Sequence, residues 1–305
     1  MQTLDPSAIA SLGNLPIKAR YIVQGALSGL HRAQLHGSSV EFTEHKEYSP
    51  GDEMRHIDWK AFGKFDRYYV KRFEQESQLT ANLVLDCSAS MGFAGGEVSK
   101  LAYAVHLMAA LGYLLIGQRD RVGLWAFGDP KVHAHERVSP RSAPNHASEL
   151  YRVLERVLER GASGQESAAS ALEQLAERRQ RQRSLVILVS DLFGQYEEAL
   201  EVLRLLRARG HDPVLFQVLD PHELSLPYSG LTRFSGLEDK RELMVDPDHM
   251  RKQYQARLRR FLDRVQEACT DSGIEYHLVA TDTAIESTLL DFTVARSKLG
   301  RARAV

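Results

Sequence analysis

The run Ser184–Ser190 reads SLVILVS, five consecutive apolar residues closed by a serine at each end. It is too short for a helix of typical length, and its β-branched content suits a strand. A strand that is apolar on both sides must be covered on both faces, which points to the interior of a parallel sheet. Other segments fall into the same scheme. Asn82 to Asp86, Arg121 to Phe127, 213–219 and 274–280 read as strands. Between them, helical periodicity predicts helices over 98–116, 147–159, 167–181, 195–208, 248–271 and 283–297. Lys131 to Val138, which follows the turn Gly128-Asp129-Pro130, is expected to form a polar antiparallel edge strand. The expected class is therefore α/β, with a mostly parallel sheet flanked by helices. In such sheets ligands bind outside the carboxyl ends of the strands.

The N-terminal quarter has another character. Residues 5–35 read as helical, with Ile17, Tyr21, Leu27 and Leu30 at roughly helical spacing. Residues 37–78 hold eight of the chain's 24 aromatic side chains, a load that a linker does not carry. We expect two parts: residues 1–78 as a small helix-and-strand addition packed on the main domain, and residues 79–305 as the α/β domain.

The charge balance narrows the partners. With 39 basic and 40 acidic residues, the chain lacks the basic excess typical of nucleic-acid binders. The basic runs at Arg178 to Arg183 and Arg257 to Arg260 read as solvated helix faces. Cys87 and Cys269 have no metal-type spacing and fit a reducing compartment. The first ten residues, MQTLDPSAIA, show no secretory pattern. Leu101 to Gly117 is apolar but short for a bilayer span. Cytoplasmic location without membrane insertion is the expectation.

Two strand ends carry chemistry. The first strand runs into Asp86-Cys87-Ser88-Ala89-Ser90, and the SLVILVS strand runs into Asp191. If the strands are neighbours, their ends lie about 5 Å apart. Two carboxylates that close repel unless a positive charge sits with them. A hard cation such as Mg2+ (or Mn2+ or Ca2+) would satisfy Asp86 and Asp191, with Ser88 and Ser90 as further oxygen ligands. The alternative is a strand-to-helix loop in which Asp86 and the serines cap the next helix.

The stretch LVLDCSASMG, with VSDLF further on, resembles the metal-ion-dependent adhesion site (MIDAS) of von Willebrand factor A domains. The preceding segment, EFTEHKEYSPGDEMRHIDWKAFGKFDRYYVKRFEQES, closely resembles the signature of a bacterial family catalogued as domain of unknown function 58. Its anchors are Tyr48, Pro50, Gly51, Asp52, Arg55, Asp58, Trp59, Lys71, Phe73 and Glu74. The resemblance covers about residues 29–220. It implies a von Willebrand A-like fold and a non-enzymatic interaction module working beside a MoxR-type AAA+ ATPase and a client protein. One departure concerns the threonine that the adhesion site takes from the loop before the next helix. That loop reads Gly161-Ala-Ser-Gly-Gln-Glu-Ser167, and no threonine occurs between Thr80 and Thr232. Ser163, Ser167 or Glu166 would have to substitute, or the fold serves as a metal-free scaffold. A metal-dependent hydrolase at the same crevice is a further option, but no general base is evident, since His106 reads as turned into the core.

Asp52, Arg55 and Asp58 sit at helical ion-pair spacing. With Trp59 they form either a structural brace or a docking surface. His133 and His135 would share a face of the expected edge strand without a third ligand. His31, His36 and His45 read as surface or packing residues.

Overall fold

The computed structural model describes residues 14–35, 46–47, 69–70, 79–133, 136–143, 145–177, 183–194, 196–239 and 241–303. Two compact units emerge, one made of Met1–Leu30 with Leu79–Val305, the other of His31–Gln78. In the smaller unit, β1 (Lys46–Glu47) pairs antiparallel with β2 (Tyr69–Val70). Asp52, Arg55, Asp58 and Trp59 lie outside the described residues, as do His36, His45 and His135.

The first helix is α1 (Leu15–Leu35), which belongs to the larger unit as far as Leu30. There follow β3 (Thr80–Asp86), α2 (Lys100–Gly117), β4 (Arg121–Phe127), the single turn α3 (Pro130–His133) and β5 (Arg137–Arg141). After α4 (His146–Arg160) and α5 (Ala168–Glu177) come β6 (Ser184–Ser190), α6 (Tyr196–Ala208), β7 (Asp212–Leu219) and the short α7 (Pro221–Ser225). A hairpin, β8 (Thr232–Ser235) with β9 (Glu242–Val245), precedes α8 (Pro247–Asp271), β10 (Glu275–Ala280) and α9 (Ile285–Arg303).

The main sheet has six strands in the order β10-β7-β6-β3-β4-β5. All its neighbours are parallel except β4 and β5. This is the doubly wound, mostly parallel α/β class expected from the sequence. The apolar runs divide by parity, as alternating side chains require. Leu83, Leu185, Ile187, Val189 and Phe216 pack into one core with α1, α2, α4 and α9. Val84, Val186, Leu188 and Leu215 pack into the other with α5, α6 and α8. β6 sits in the middle and is buried at all seven positions, which is why its sequence shows no alternation. α2 is long and apolar enough to cross a bilayer, yet 78 % of it is buried within the fold.

One expectation needs correction. The polar edge strand exists, but over Arg137–Arg141, not 131–138. Residues 130–133 form a helical turn instead. Pro130 presets the first helical φ, and Asp129 accepts the Lys131 N–H at 2.8 Å and the His133 N–H, through its carbonyl, at 2.7 Å. The long connection between β7 and α8 holds α7 and the β8–β9 hairpin.

Candidate functional site

Asp86 and Asp191 meet at the carboxyl edge of the sheet because β3 and β6 are adjacent and in register from Thr80 with Ser184 to Leu85 with Val189. Asp86 is 5 % exposed. Its Oδ1 accepts the Ser88 N–H at 2.8 Å, and its Oδ2 accepts the Ser190 hydroxyl at 2.5 Å. Burial, and after it the charge of Asp191, pushes the Asp86 carboxyl up to about 7, against the pull of the bonds from Ser190 and Ser88. The Ser88 and Ser90 hydroxyls lie 3.1 Å apart. The capping alternative does not employ them: Ser88 makes no side-chain cap bond, and α2 is capped by Ser99, which accepts the Ala102 N–H.

Asp191 is differently engaged. Its Oδ2 accepts from Lys100 Nζ at 2.7 Å and its Oδ1 from the Phe193 N–H at 3.0 Å. Leu192 adopts a positive φ of 56°, a strained conformation for a leucine. The next residue, Phe193, then directs its N–H back to the Asp191 carboxylate. Lys100, fully buried, donates to Glu223 Oε1 as well, also at 2.7 Å. Its ammonium stands 4.9 Å from the centre of the Phe193 ring. The positive charge that the sequence demanded beside two close carboxylates is thus present on the Asp191 side, as part of the chain itself.

Three loops hold this edge together. Ala89 N–H donates to the Gly164 carbonyl, Ser163 N–H to the Cys87 carbonyl and Glu166 N–H to the Gly128 carbonyl. Gly164 has φ +87°, and a Cβ there would stand 2.3 Å from the Asp129 nitrogen, so only glycine fits. Beside them opens a cavity of about 260 Å³, with Asp86, Ser88, Ser190, Glu166 and Ser167 among its walls and Phe193 and Tyr196 as its aromatic side. Asp191 and Ser163 are not among the walls. Ser163 keeps a buried hydroxyl with no hydrogen-bond partner. Ser167 accepts the Ser170 N–H at the start of α5, and Glu166 accepts from Gln174.

Among the described residues no three His, Cys, Asp or Glu side chains converge as a metal site. The oxygens present suit a hard cation only. An octahedral shell at about 2.1 Å sets neighbouring ligand oxygens roughly 3 Å apart. The Ser88–Ser90 hydroxyl spacing matches that edge. Asp86 and Ser88 line the cavity with Glu166, whereas Ser90, hydrogen-bonded to Ser88, does not. Lys100 escaped the sequence reading because its two carboxylate partners lie 91 and 123 residues away. The only local signal was a lysine opening an otherwise apolar helix.

Comparison with known proteins agrees with the signature. Residues 44–263 match the family model described as "Protein of unknown function DUF58". The chain is 30 % identical over 246 residues to Uncharacterized protein Rv1480 of Mycobacterium tuberculosis, covering 80 % of this chain and 75 % of that one. Uncharacterized protein Mb1516 of Mycobacterium bovis matches to the same extent. Among solved structures, the conserved hypothetical protein BatB from Bacteroides thetaiotaomicron aligns with a TM-score of 0.44 and 16 % identity, over 72 % of this chain and 98 % of that one.

Proposed function

The chain belongs to the DUF58 family of proteins of unknown function, and from that premise we propose that it is a non-enzymatic protein-interaction module whose contact point is the cavity at Asp86. In this reading Asp86, Ser88 and Ser90 hold Mg2+ or Mn2+. The ion leaves a position toward the cavity for an acidic side chain of the partner. By resemblance, the partners are a MoxR-type AAA+ ATPase and its client in the cytoplasm. The observation that carries the reading is the pair of hydroxyls 3.1 Å apart beside a buried carboxylate at the sheet's carboxyl edge. His106 is buried in α2, where its Nδ1 lies 2.6 Å from the Ala102 carbonyl.

A thermal melt with Mn2+ against chelator tests the reading. An ion at a hundred times its dissociation constant stabilises the fold by about 2.7 kcal/mol. The shift should vanish in Asp86→Ala, and capture of a purified MoxR-type ATPase should fail in chelator. Melts that ignore millimolar ion, together with chelator-resistant capture, would reduce the module to a metal-free scaffold. One feature favours that second reading: the Lys100 ammonium already seated on Asp191.

A further inference from the structure

We propose that the β8–β9 hairpin is a hinged flap that gates the cavity at Asp86, and that Gln165 is its latch. The two strands form a sheet of their own, separate from the six-stranded one. The hairpin is closed on itself. Its register runs unbroken from Thr232 with Val245 to Ser235 with Glu242. At the turn the Gly236 N–H donates to the Arg241 carbonyl at 2.7 Å, and the Arg241 N–H to Asp239 Oδ1 at 3.1 Å. It therefore moves as one piece. Leu237, Leu243 and Met244 are exposed, and no hairpin residue belongs to either core. Swinging the hairpin outward thus sacrifices little burial, so burial does not hold it in place.

The two ends are held unequally. At the base, Arg251 of α8 donates to the Leu226 carbonyl at 2.9 Å and to the Tyr228 carbonyl at 2.6 Å. Asp248 accepts the Gly230 N–H at 3.3 Å, and the Tyr228 ring meets Phe234 edge-on at 5.6 Å. Gly230 itself has a φ of 68°, which glycine adopts and leaves at low steric cost. At the turn, among the described residues, one hydrogen bond ties the hairpin to the body, from the Gln165 side-chain N–H to the Glu238 carbonyl. Both of these residues stand in the cavity wall. A firm base, a stiff blade and a single tie at the tip are the parts of a lid, whose motion a few residues at element ends can absorb. The tie is exposed and neutral, so it shifts the closed-to-open ratio by only about two- to tenfold. The flap opens readily and sets how large a group reaches Asp86. It needs no bound ion, so it stands or falls separately from cation binding.

Pulsed electron paramagnetic resonance tests the flap in the full chain, with spin labels at Leu237→Cys on the turn and Glu173→Cys on the exposed side of α5. Cys87 and Cys269 are fully buried and stay unlabelled. The native background should give one dominant distance. Gln165→Glu, of the same shape without the N–H, and Gln165→Ala should each raise the share of a second, longer distance by about two- to tenfold. A tip that keeps the native distance in both variants overturns the proposal. So does a tip already spread over many distances in the native background. Gating has its own readout. Ala168→Cys places a thiol in the cavity wall. Its modification by a bulky maleimide should quicken by the same factor when Gln165→Ala is added, and equal rates overturn the gate.

Discussion

Replacing Asp86 by asparagine should stabilise the ion-free protein, and more so as the pH rises. The carboxyl has an ordinary value of 3.8 and is pushed up to about 7 in the fold, by burial and by the charge of Asp191. Between those two values the native state holds a proton that the unfolded chain has released. Stability therefore falls as pH rises through that window and levels off above about 7. A displacement of that size corresponds to about 4 kcal/mol. For a chain this long that is on the order of 10 °C in melting temperature. Asparagine keeps an acceptor for the Ser88 N–H but carries no charge to desolvate. In chelator, the melting temperature of Asp86→Asn minus that of the native protein should be small near pH 4, grow through pH 5 and 6, and plateau above pH 7. Saturating Mn2+ should raise the native protein alone, since the ion replaces the missing counter-charge. A gap that is the same at pH 5 and pH 8 would refute the reasoning. So would a native protein that gains stability over that interval relative to the variant.

His106 predicts a slope of opposite sign. Burial, assisted by the Lys18 charge, lowers its imidazole to about 4 from 6.5, against the bond to Ala102. The resulting stability is complete above 6.5 and is lost as pH falls toward 4, about 3 kcal/mol in all. Melts of His106→Gln should lack this acid-side loss, and an unchanged profile would count against it. In the native chain the two slopes largely offset each other between pH 4 and 7, so each emerges only against its own variant. Gly164→Ala should destabilise by about 1–3 kcal/mol in urea titration, because the new Cβ meets the Asp129 nitrogen at a positive φ. It should also abolish any Mn2+ response, since Ala89 and Asp129 must move. Retention of both would show that the loops are softer than their contacts imply.

The sheet was legible because its strands are buried on both faces: Ser184–Ser190 could only be an interior strand, and its bounds are those read from the sequence. The meeting of Asp86 and Asp191 depended on β3 and β6 being neighbours, a condition the sequence left open and the strand order meets. Where local pattern and local chemistry disagreed, chemistry won. The turn Gly128-Asp129-Pro130 suggested a polar strand over 131–138, but Pro130 and the Asp129 bonds wound residues 130–133 into a helix. The β8–β9 hairpin was missed because its strands are four residues each, too short for a period to register. Lys100 was out of reach for a different reason. Nothing in its neighbours along the chain announces a buried ion pair, and its partners become neighbours only once β6 and β7 have been laid side by side.

The backbone stitches among the three strand-end loops carry an implication for how such a site changes over time. Main-chain bonds are indifferent to side-chain identity, so the residues between them are free to vary while the frame stays put. Gln165, Glu166 and Ser167 stand at the cavity on a loop whose path is set by Cys87 and Gly128. New recognition preferences can thus be written by single substitutions there, without lengthening a loop or refolding the edge. A change at Gly128 or Gly164, by contrast, is felt at all three loops together.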